Sequence, residues 1–363
     1  MSIKTVLFLI VGVVIMAVML WFIGIEEIIA SLELANLWLI LAAIAIQVFT
    51  YFLYAFRWEI INKITDIDVG FKKLLPMVLV GLAVNNITPS GRGGGEPVRA
   101  YILAKEVDKP MEESFATVIT DRALDTFPFV LLAVITIIGV TFYFPLSPWI
   151  VGVMILAVVA IILVLSLLIY MSINENFGKK LTNWIIRIVH RFYKKDPENM
   201  EIKVKEIVGG FQSTMKQMIS NKNMLYYALP LSFIIWIFEI LRVYVVFLAF
   251  GVSVSPIIIG EIFILASLIG MIPLLPGGLG AIDGVMILFY SAAGIPASIS
   301  AAATVVERLI SFWMSTIIGL LLVPHYGASV LNKISSIGDR KETPEEDIIE
   351  ELEYISHKND NEK

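Results

Sequence analysis

The chain has 363 residues, of which 58% are hydrophobic and 16% are charged, with a mean hydropathy of +0.85 and a net charge of −5. Charged residues make up about 25% of ordinary soluble domains, so this composition predicts a polytopic membrane protein and argues against a nucleic-acid partner. The chain has no cysteine and only three histidines, which excludes a disulfide framework and a thiolate metal site and argues against zinc chemistry.

Six apolar runs are long enough to cross a bilayer, which takes roughly 20 residues for about 30 Å of hydrocarbon. The first is too long for the apolar core of a secretory signal, so we interpret it as a retained span. In chain order the runs cover residues 6–25, 37–56, 115–142, 149–171, 224–250 and 298–323.

Two shorter apolar pieces, at residues 74–87 and 257–275, run directly into segments rich in proline and glycine. Short helical pieces follow them at 97–103 and 279–293. Each pair forms either two full crossings or a hairpin that returns to the side from which it entered. The sequence therefore predicts an all-α polytopic membrane protein with about six full spans plus two Pro/Gly-broken hairpins, or with eight or more spans.

The lysines and arginines are distributed unevenly between the two ends of these spans. If the amino terminus is cytoplasmic, the outer loops at 26–36, 143–148, 251–256 and 294–297 contain no lysine or arginine. The inner segment from 173 to 222 then carries ten basic residues against five acidic ones. This pattern predicts a multi-pass protein of the cell membrane with both termini in the cytoplasm. An amphipathic stretch from Trp184 to Phe192 is expected to lie on the inner leaflet.

A motif of proline, glycine and charged residues occurs once in each half of the chain. Seven residues separate the proline from the acid in both copies, and an arginine follows that acid by 26 residues in one copy and 25 in the other. Farther upstream, Tyr54-x-x-Arg57 and Glu239-x-x-Arg242 place two arginines 185 residues apart. The copies run from Pro89 to Glu96 with Asp121-Arg122 downstream, and from Pro276 to Asp283 with Glu307-Arg308 downstream.

Among the predicted full spans, the one that carries Arg242 is the third after the one that carries Arg57. Because this number is odd, the second copy must be upside down relative to the first, which predicts two inverted repeats of the kind found in alternating-access transporters. The predicted organisation is a transmembrane domain over 1–330 and an acidic cytoplasmic tail over 331–363. The transmembrane domain contains repeats at about 37–145 and 224–323 and a cytoplasmic amphipathic insert at 172–223.

The prolines and glycines of the motif predict helix breaks inside the membrane, where non-helical backbone has to be buried in protein or line a water-filled cavity. Half-helices that start after the breaks would point free N–H groups at that cavity, where an anion such as phosphate fits. The alternative is that the glycines only permit close helix packing. The glycines are Gly91, Gly93, Gly94 and Gly95 in the first copy, and Gly277, Gly278 and Gly280 in the second.

Arg122 and Arg308 are predicted to lie roughly 15 Å into their spans, where a charge costs at least about 2.5–3.5 kcal/mol unless it is paired. Asp125 is the predicted intrahelical partner of Arg122. Arg308 has no acid three or four residues away, so its partner is expected on another helix or in the substrate. Arg57 is expected to snorkel to the interface. The alternative role for the acid–arginine groups is that of buried ion pairs that only fix helix packing.

These arguments define a predicted substrate-binding set that combines motif glycines with charged residues of both halves, including the i,i+3 pair Glu239 and Arg242. No catalytic residue, nucleotide loop, cofactor or metal site is predicted. The set consists of Arg92, Glu96, Arg99, Asp121, Arg122, Asp125, Glu239, Arg242, Gly277, Gly278, Gly280, Asp283, Glu307 and Arg308.

The same residues resemble a known family, the transmembrane, flippase-like region of lysylphosphatidylglycerol synthetases and its stand-alone relatives. The resemblance covers residues from about Phe52 to Pro324 and rests on four pieces: Pro89 to Arg99 with Tyr101-Ile-Leu, Asp121-Arg122-Ala-Leu-Asp125, Ile272-Pro-Leu-Leu-Pro-Gly-Gly-Leu-Gly280, and the span that starts at Glu307-Arg308. It implies a domain that moves an anionic or modified lipid between leaflets. This chain lacks the aminoacyl-transfer and glycosyltransferase domains of larger relatives, so synthesis of an aminoacyl lipid is not expected.

The sequence thus favours a lipid or lipid-phosphate translocase for an anionic or polyprenyl-linked lipid, which either equilibrates the leaflets or couples to protons or sodium through Asp121, Glu239 or Glu307. One rival is a membrane-embedded lipid-phosphate transferase with Asp121 or Glu307 as base. Another is an accessory subunit that binds a lipid-synthesis enzyme.

Overall fold

The computed structural model describes residues 21, 25–88, 94–144, 147–192, 197–270 and 278–326, and this part of the chain is helical without strands. The predicted first span and the acidic tail at 331–363 lie outside the described residues, apart from the end of that span. The helices are α1 (Ile25–Glu33), α2 (Leu37–Ile64), α3 (Phe71–Ile87), α4 (Gly95–Val107), α5 (Met111–Tyr143), α6 (Pro148–Ile173), α7 (Glu175–Phe192), α8 (Pro197–Ser220), α9 (Met224–Ala249), α10 (Pro256–Gly270), α11 (Ala281–Ala292) and α12 (Ala297–Tyr326).

Five helices among the described residues are long and apolar enough to cross a membrane: α2, α5, α6, α9 and α12. The prediction of an all-α membrane protein is therefore confirmed. α2 continues well past its apolar run, to Ile64, and Arg57 and Asn62 in this extension are buried. α12 is interrupted by a π-turn at Leu309–Trp313, directly after Glu307 and Arg308.

The helices on either side of each Pro/Gly break fold back on one another. Gly81 of α3 lies against Arg99 of α4, and the Tyr290 hydroxyl of α11 donates to the Ile259 carbonyl oxygen of α10 at 2.9 Å. These four helices have 12 to 17 residues, or roughly 18–26 Å, which is less than the thickness of about 30 Å that a full crossing requires. The geometry favours hairpins over pairs of full crossings.

The two halves of the protein pack as inverted copies. α2 and α9 lie side by side and antiparallel, since Gln47 contacts Arg242 whereas Arg57, farther along α2, contacts Ser232. α3 packs on α12, and its counterpart α10 packs on α5. Each hairpin therefore rests on the long helix of the other half. This is the packing expected of two inverted repeats, and the charged residues lie where the two halves meet.

The apolar core has two parts, one at each end of this interface. The first joins α5 and α6 to the second repeat, and the second joins α2, α3 and α4 to α8. α6 is apolar on all sides and little buried, as expected for a helix that faces lipid. The amphipathic stretch that was predicted on the inner leaflet forms part of α7, and α8 packs on α5.

Candidate functional site

Arg57 lies at the interface of α2 and α9 and is 1% exposed. Its Nε donates to Asp121 Oδ1 at 2.8 Å, and its Nη1 donates to Asp125 Oδ1 and to Ser232 Oγ, both at 3.0 Å. The expectation that Arg57 snorkels to the interface is therefore wrong. Two carboxylates on α5 stabilise the guanidinium charge, as water or lipid head groups would for a snorkelling side chain.

Arg242 occupies the equivalent position on α9 and is equally buried. Its Nη2 donates to Glu307 Oε1 at 2.7 Å, and its Nη1 binds Glu239 and Gln47. Gln47 lies 185 residues before Ser232, the same offset that relates the two arginines. Each arginine is thus held by carboxylates of its own repeat and by a neutral polar side chain of the other repeat.

A second pair of arginines binds the acids at the start of the half-helices. Arg122 on α5 donates to Glu96 at the start of α4, and Arg308 on α12 lies 2.9 Å from Asp283 Oδ1 at the start of α11. The expected partner of Arg308 on another helix is thus Asp283. Arg122 therefore hydrogen-bonds to Glu96, and the carboxylate of Asp125, its predicted partner, accepts from Arg57.

One arginine has no counterpart in the other repeat. Arg99 on α4 donates from Nη1 and Nη2 to Asp121 Oδ2, each at 3.0 Å, and its Cζ lies 4.1 Å from the centroid of the Trp58 ring. Gly81 leaves the space through which this side chain passes. The Asp121 carboxylate is therefore shared by two guanidinium groups, whereas α11 carries no basic residue.

Side chains of the protein already occupy some N–H groups at the half-helix starts. The Gly95 N–H donates to Asn85 Oδ1 at 2.6 Å, and the Gly280 N–H donates to Asp283 Oδ2 at 2.7 Å. Gly278 and Gly280 have φ angles of 68° and 78°, a conformation that favours glycine. The predicted anion site at these N-termini would thus have to form from the N–H groups that remain.

A polar cavity of about 140 Å³ lies between the repeats and is lined by side chains of both. Beside it lies a mainly apolar groove of about 510 Å³ between α4, α5 and α6. The two spaces share four lining residues, namely Arg122, Asp125, Trp236 and Ser267. A molecule with a charged head and an apolar tail would fit this combination of spaces.

Arg122 differs from the other arginines of this region in its exposure. Its side chain is 38% exposed, whereas those of Arg57, Arg99, Arg242 and Arg308 are 10% exposed or less. It is also the arginine that lines both the cavity and the groove. Arg122 is therefore the guanidinium best placed to contact a ligand.

The charges of the region nearly cancel. The described residues contribute five arginines and six carboxylates (Glu96, Asp121, Asp125, Glu239, Asp283 and Glu307), which gives a formal charge of −1. A bound anion would therefore have to displace a carboxylate from an arginine rather than fill an empty positive site. No group of three or more histidine and acidic side chains suited to a metal ion occurs in the part of the chain that the structure describes.

The structure brings together the charged members of the predicted set that it describes. Gly278 and Gly280 lie at the break before α11, while Arg92 and Gly277 lie outside the described residues. Sequence reasoning missed Gln47 and Ser232. Their common offset of 185 residues was a usable signal, but a glutamine and a serine do not look alike in a search for repeated residue types.

Comparison with known proteins places this architecture in a family. A family model described as the lysylphosphatidylglycerol synthase TM region matches residues 9–319. The chain belongs to this family. The resemblance that the sequence motifs suggested is therefore confirmed over most of the membrane domain.

Archaeal relatives of the family match over nearly their full length. A UPF0104 membrane protein of Methanothermobacter thermautotrophicus is 51% identical over 331 residues, which are 91% of this chain and 98% of the relative. One from Methanocaldococcus jannaschii is 32% identical over 88% of this chain and 94% of the relative. One from Pyrococcus horikoshii is 31% identical over 88% and 96%. These similarities cover both repeats and the insert between them.

Proposed function

We propose that this protein is a translocase that moves a lipid or lipid phosphate with an anionic head group between the leaflets of the cell membrane. The observation that carries the proposal is the position of Arg122, a partly exposed guanidinium where the polar cavity meets the apolar groove. The family model, whose description refers to a lipid-modifying synthase, supports a lipid as substrate. The inverted repeats support alternating access.

In this proposal the head group enters the polar cavity and its acyl or prenyl chain stays in the groove between α4, α5 and α6. A phosphate oxygen would replace Glu96 on Arg122, because guanidinium groups bind phosphate and carboxylate with the same geometry. Glu96 stands at the tip of a hairpin that packs on the long helix of the other repeat. Its release from Arg122 would therefore free the hairpin to move.

The deeper arginines have a different role in this proposal. Arg57 and Arg242 hold the two repeats together, and Asp121, Glu239 and Glu307 neutralise them. Each of these three carboxylates already binds a guanidinium group of its own repeat. We therefore assign these three acids to the framework of the transporter rather than to ion coupling.

The proposal is tested by measuring lipid movement in proteoliposomes that contain fluorescent anionic, zwitterionic and polyprenyl-phosphate lipids. Arg122→Gln is expected to lose movement of the anionic lipids, because no guanidinium remains there to bind phosphate, and its folding has to be verified because Glu96 stays buried without its arginine. Arg308→Gln is expected to lower thermal stability as well, because it leaves Asp283 buried without its arginine. Arg187→Gln, on the exposed part of α7, serves as the matched control and should behave like the wild-type protein.

Two results would overturn the proposal. One is movement of every lipid at the wild-type rate by folded Arg122→Gln protein. The other is a complete lack of movement of all three lipid classes by the folded wild-type protein, which would shift the weight to the transferase or accessory-subunit hypotheses.

A further inference from the structure

Glu261 is a buried carboxylate that the network described above does not include. It is the sixth residue of α10 and is 9% exposed. Within the part of the chain that the structure describes, it forms no hydrogen bond or ion pair. Every carboxylate of the central network, by contrast, lies within contact distance of an arginine.

The Glu261 side chain lies in a notch on α5. Its carboxyl group fills the space beside Gly139, where even the Cβ atom of an alanine would collide with it. α5 is the helix that also carries Asp121 and Arg122. The contact between Glu261 and Gly139 is therefore part of the interface between the second hairpin and the long helix of the first repeat.

No charged group from the neighbouring helices faces this carboxyl among the described residues. α10 packs on α5, α9 and α11, and the buried charges of those helices are engaged in the central network. The Tyr290 hydroxyl on α11 donates to the backbone of Ile259. The remaining titratable groups on these helices are Glu112 and Glu113 at the far end of α5, Tyr143 as its last residue, and Tyr226, Tyr227 and Tyr244 on α9.

The corresponding interface of the other repeat lacks such a group. The offset between the repeats is 185 residues at the central arginines and 187 at the Pro/Gly motifs, so the positions equivalent to Glu261 fall on Leu74, Leu75 and Pro76 of α3. α3 packs on α12 as α10 packs on α5. Only one of these two equivalent interfaces therefore contains a carboxyl at this position. An ionised carboxylate without a partner is costly in an apolar environment, so ionisation favours movement of the group toward water.

We propose that Glu261 is a proton-binding site that couples lipid movement to a proton gradient, a proposal that rests on the translocase function above. With the carboxyl protonated, it stays in the Gly139 notch and α10 remains packed on α5. When the O–H proton passes to water, the carboxylate leaves the notch and the interface loosens. In the orientation predicted from the lysine and arginine distribution, this site lies toward the outer end of α10.

Proton binding is tested directly on the purified protein by infrared difference spectroscopy between acidic and alkaline buffer. The wild-type spectrum should contain a protonated-carboxyl C=O band that is absent from Glu261→Gln and retained in the control Glu33→Gln, whose carboxyl is exposed on α1. Identical bands in wild type and Glu261→Gln would overturn the proposal. If Glu261→Gln does not fold, Gly139→Ala provides the test, because filling the notch should move the titration midpoint of the band toward that of a solvated carboxyl. An unchanged midpoint would overturn the proposal.

Coupling is tested in proteoliposomes with and without an imposed pH gradient. The gradient should change the rate of lipid movement by the wild-type protein, and Glu261→Gln should move lipid at a rate that no longer responds to the gradient. A gradient response that survives in Glu261→Gln would overturn the coupling role. A wild-type protein that moves no lipid would contradict the translocase function, and the infrared band would still decide whether Glu261 binds a proton.

Discussion

The central carboxylates of the two repeats, Asp121 and Glu307, bind different numbers of arginines. In the first repeat Asp121 accepts from both Arg57 and Arg99, whereas in the second repeat Glu307 pairs with Arg242. The central carboxylate of the first repeat therefore has a second arginine, Arg99, and that of the second repeat does not. The helices are arranged alike in the two repeats, but the ion-pair network of the first repeat contains one more arginine.

The arginines that bind the acids at the half-helix starts, Arg122 and Arg308, differ in their exposure. Arg308 is almost fully buried, but Arg122 reaches the cavity and the groove. The repeat with the more redundant centre is thus the one with the more accessible arginine. Equivalent charged positions in the two repeats therefore differ in exposure: the first repeat has its arginine where the cavity meets the groove, and the second has its arginine almost fully buried.

The largest expected effect on stability comes from removing the central arginines. Arg242→Gln should lower the free energy of unfolding by about 3–5 kcal/mol, because it leaves Glu307 buried without a cation. Arg57→Gln should cost less, because Arg99 still binds Asp121. Denaturant titration in mixed micelles measures both values.

A double variant separates the cost of the unpaired Glu307 charge from the cost of losing the packing of the Arg242 side chain. Arg242→Gln combined with Glu307→Gln should be more stable than Arg242→Gln alone, because no unpaired charge remains on Glu307. If Arg57→Gln proves as destabilising as Arg242→Gln, the proposed redundancy of the first repeat is wrong.

A smaller effect is expected from filling the glycine contacts between each hairpin and the opposite repeat. Gly319→Ala on α12 should cost about 1–3 kcal/mol, because its Cβ would collide with the Leu79 backbone of α3 and the helices must separate. Gly139→Ala on α5 should cost less, since it meets the mobile end of the Glu261 side chain. Thermal unfolding of the two variants ranks them, and equal losses would contradict this account of the two interfaces.

Single cysteines in exposed loops should perturb the protein least, and they test whether the two repeats have opposite orientations in the membrane. Asp68 and Ser253 lie 185 residues apart in exposed loops of the two repeats, and the chain contains no cysteine that would interfere with labelling. Asp68→Cys should react with an impermeant thiol reagent only from the cytoplasmic side, and Ser253→Cys only from outside. The stability of both variants should match the wild type. Labelling of both residues from one side would contradict the inverted arrangement.

Much of this architecture follows from patterns along the chain. Apolar run lengths predicted the five long spans of the described region, and the odd number of steps between Arg57 and Arg242 predicted the inversion. Residues that follow no local spacing rule were harder to interpret. Arg57 lies near the end of an apolar run, so its sequence context resembles that of an interfacial residue, and its partners are 64 and 68 residues away.

The partner of Arg122 illustrates the same limit. Asp125 satisfies the i,i+3 spacing, but Glu96 reaches Arg122 across the hairpin and Arg57 reaches Asp125 across the helix interface. Glu261 was not identified from the sequence at all. A single glutamate near the end of an apolar helix has no distinctive pattern, and only the glycine notch on α5 makes it notable.

Patterns along the chain suffice to predict an α-helical membrane protein with two inverted halves, because bilayer thickness, helix rise and charge distribution act locally. The tertiary fold sets which carboxylate binds which arginine, which arginine lies between the cavity and the groove, and which acid has no cation beside it. Those outcomes depend on distances between residues up to 195 positions apart, and no local rule of spacing determines them.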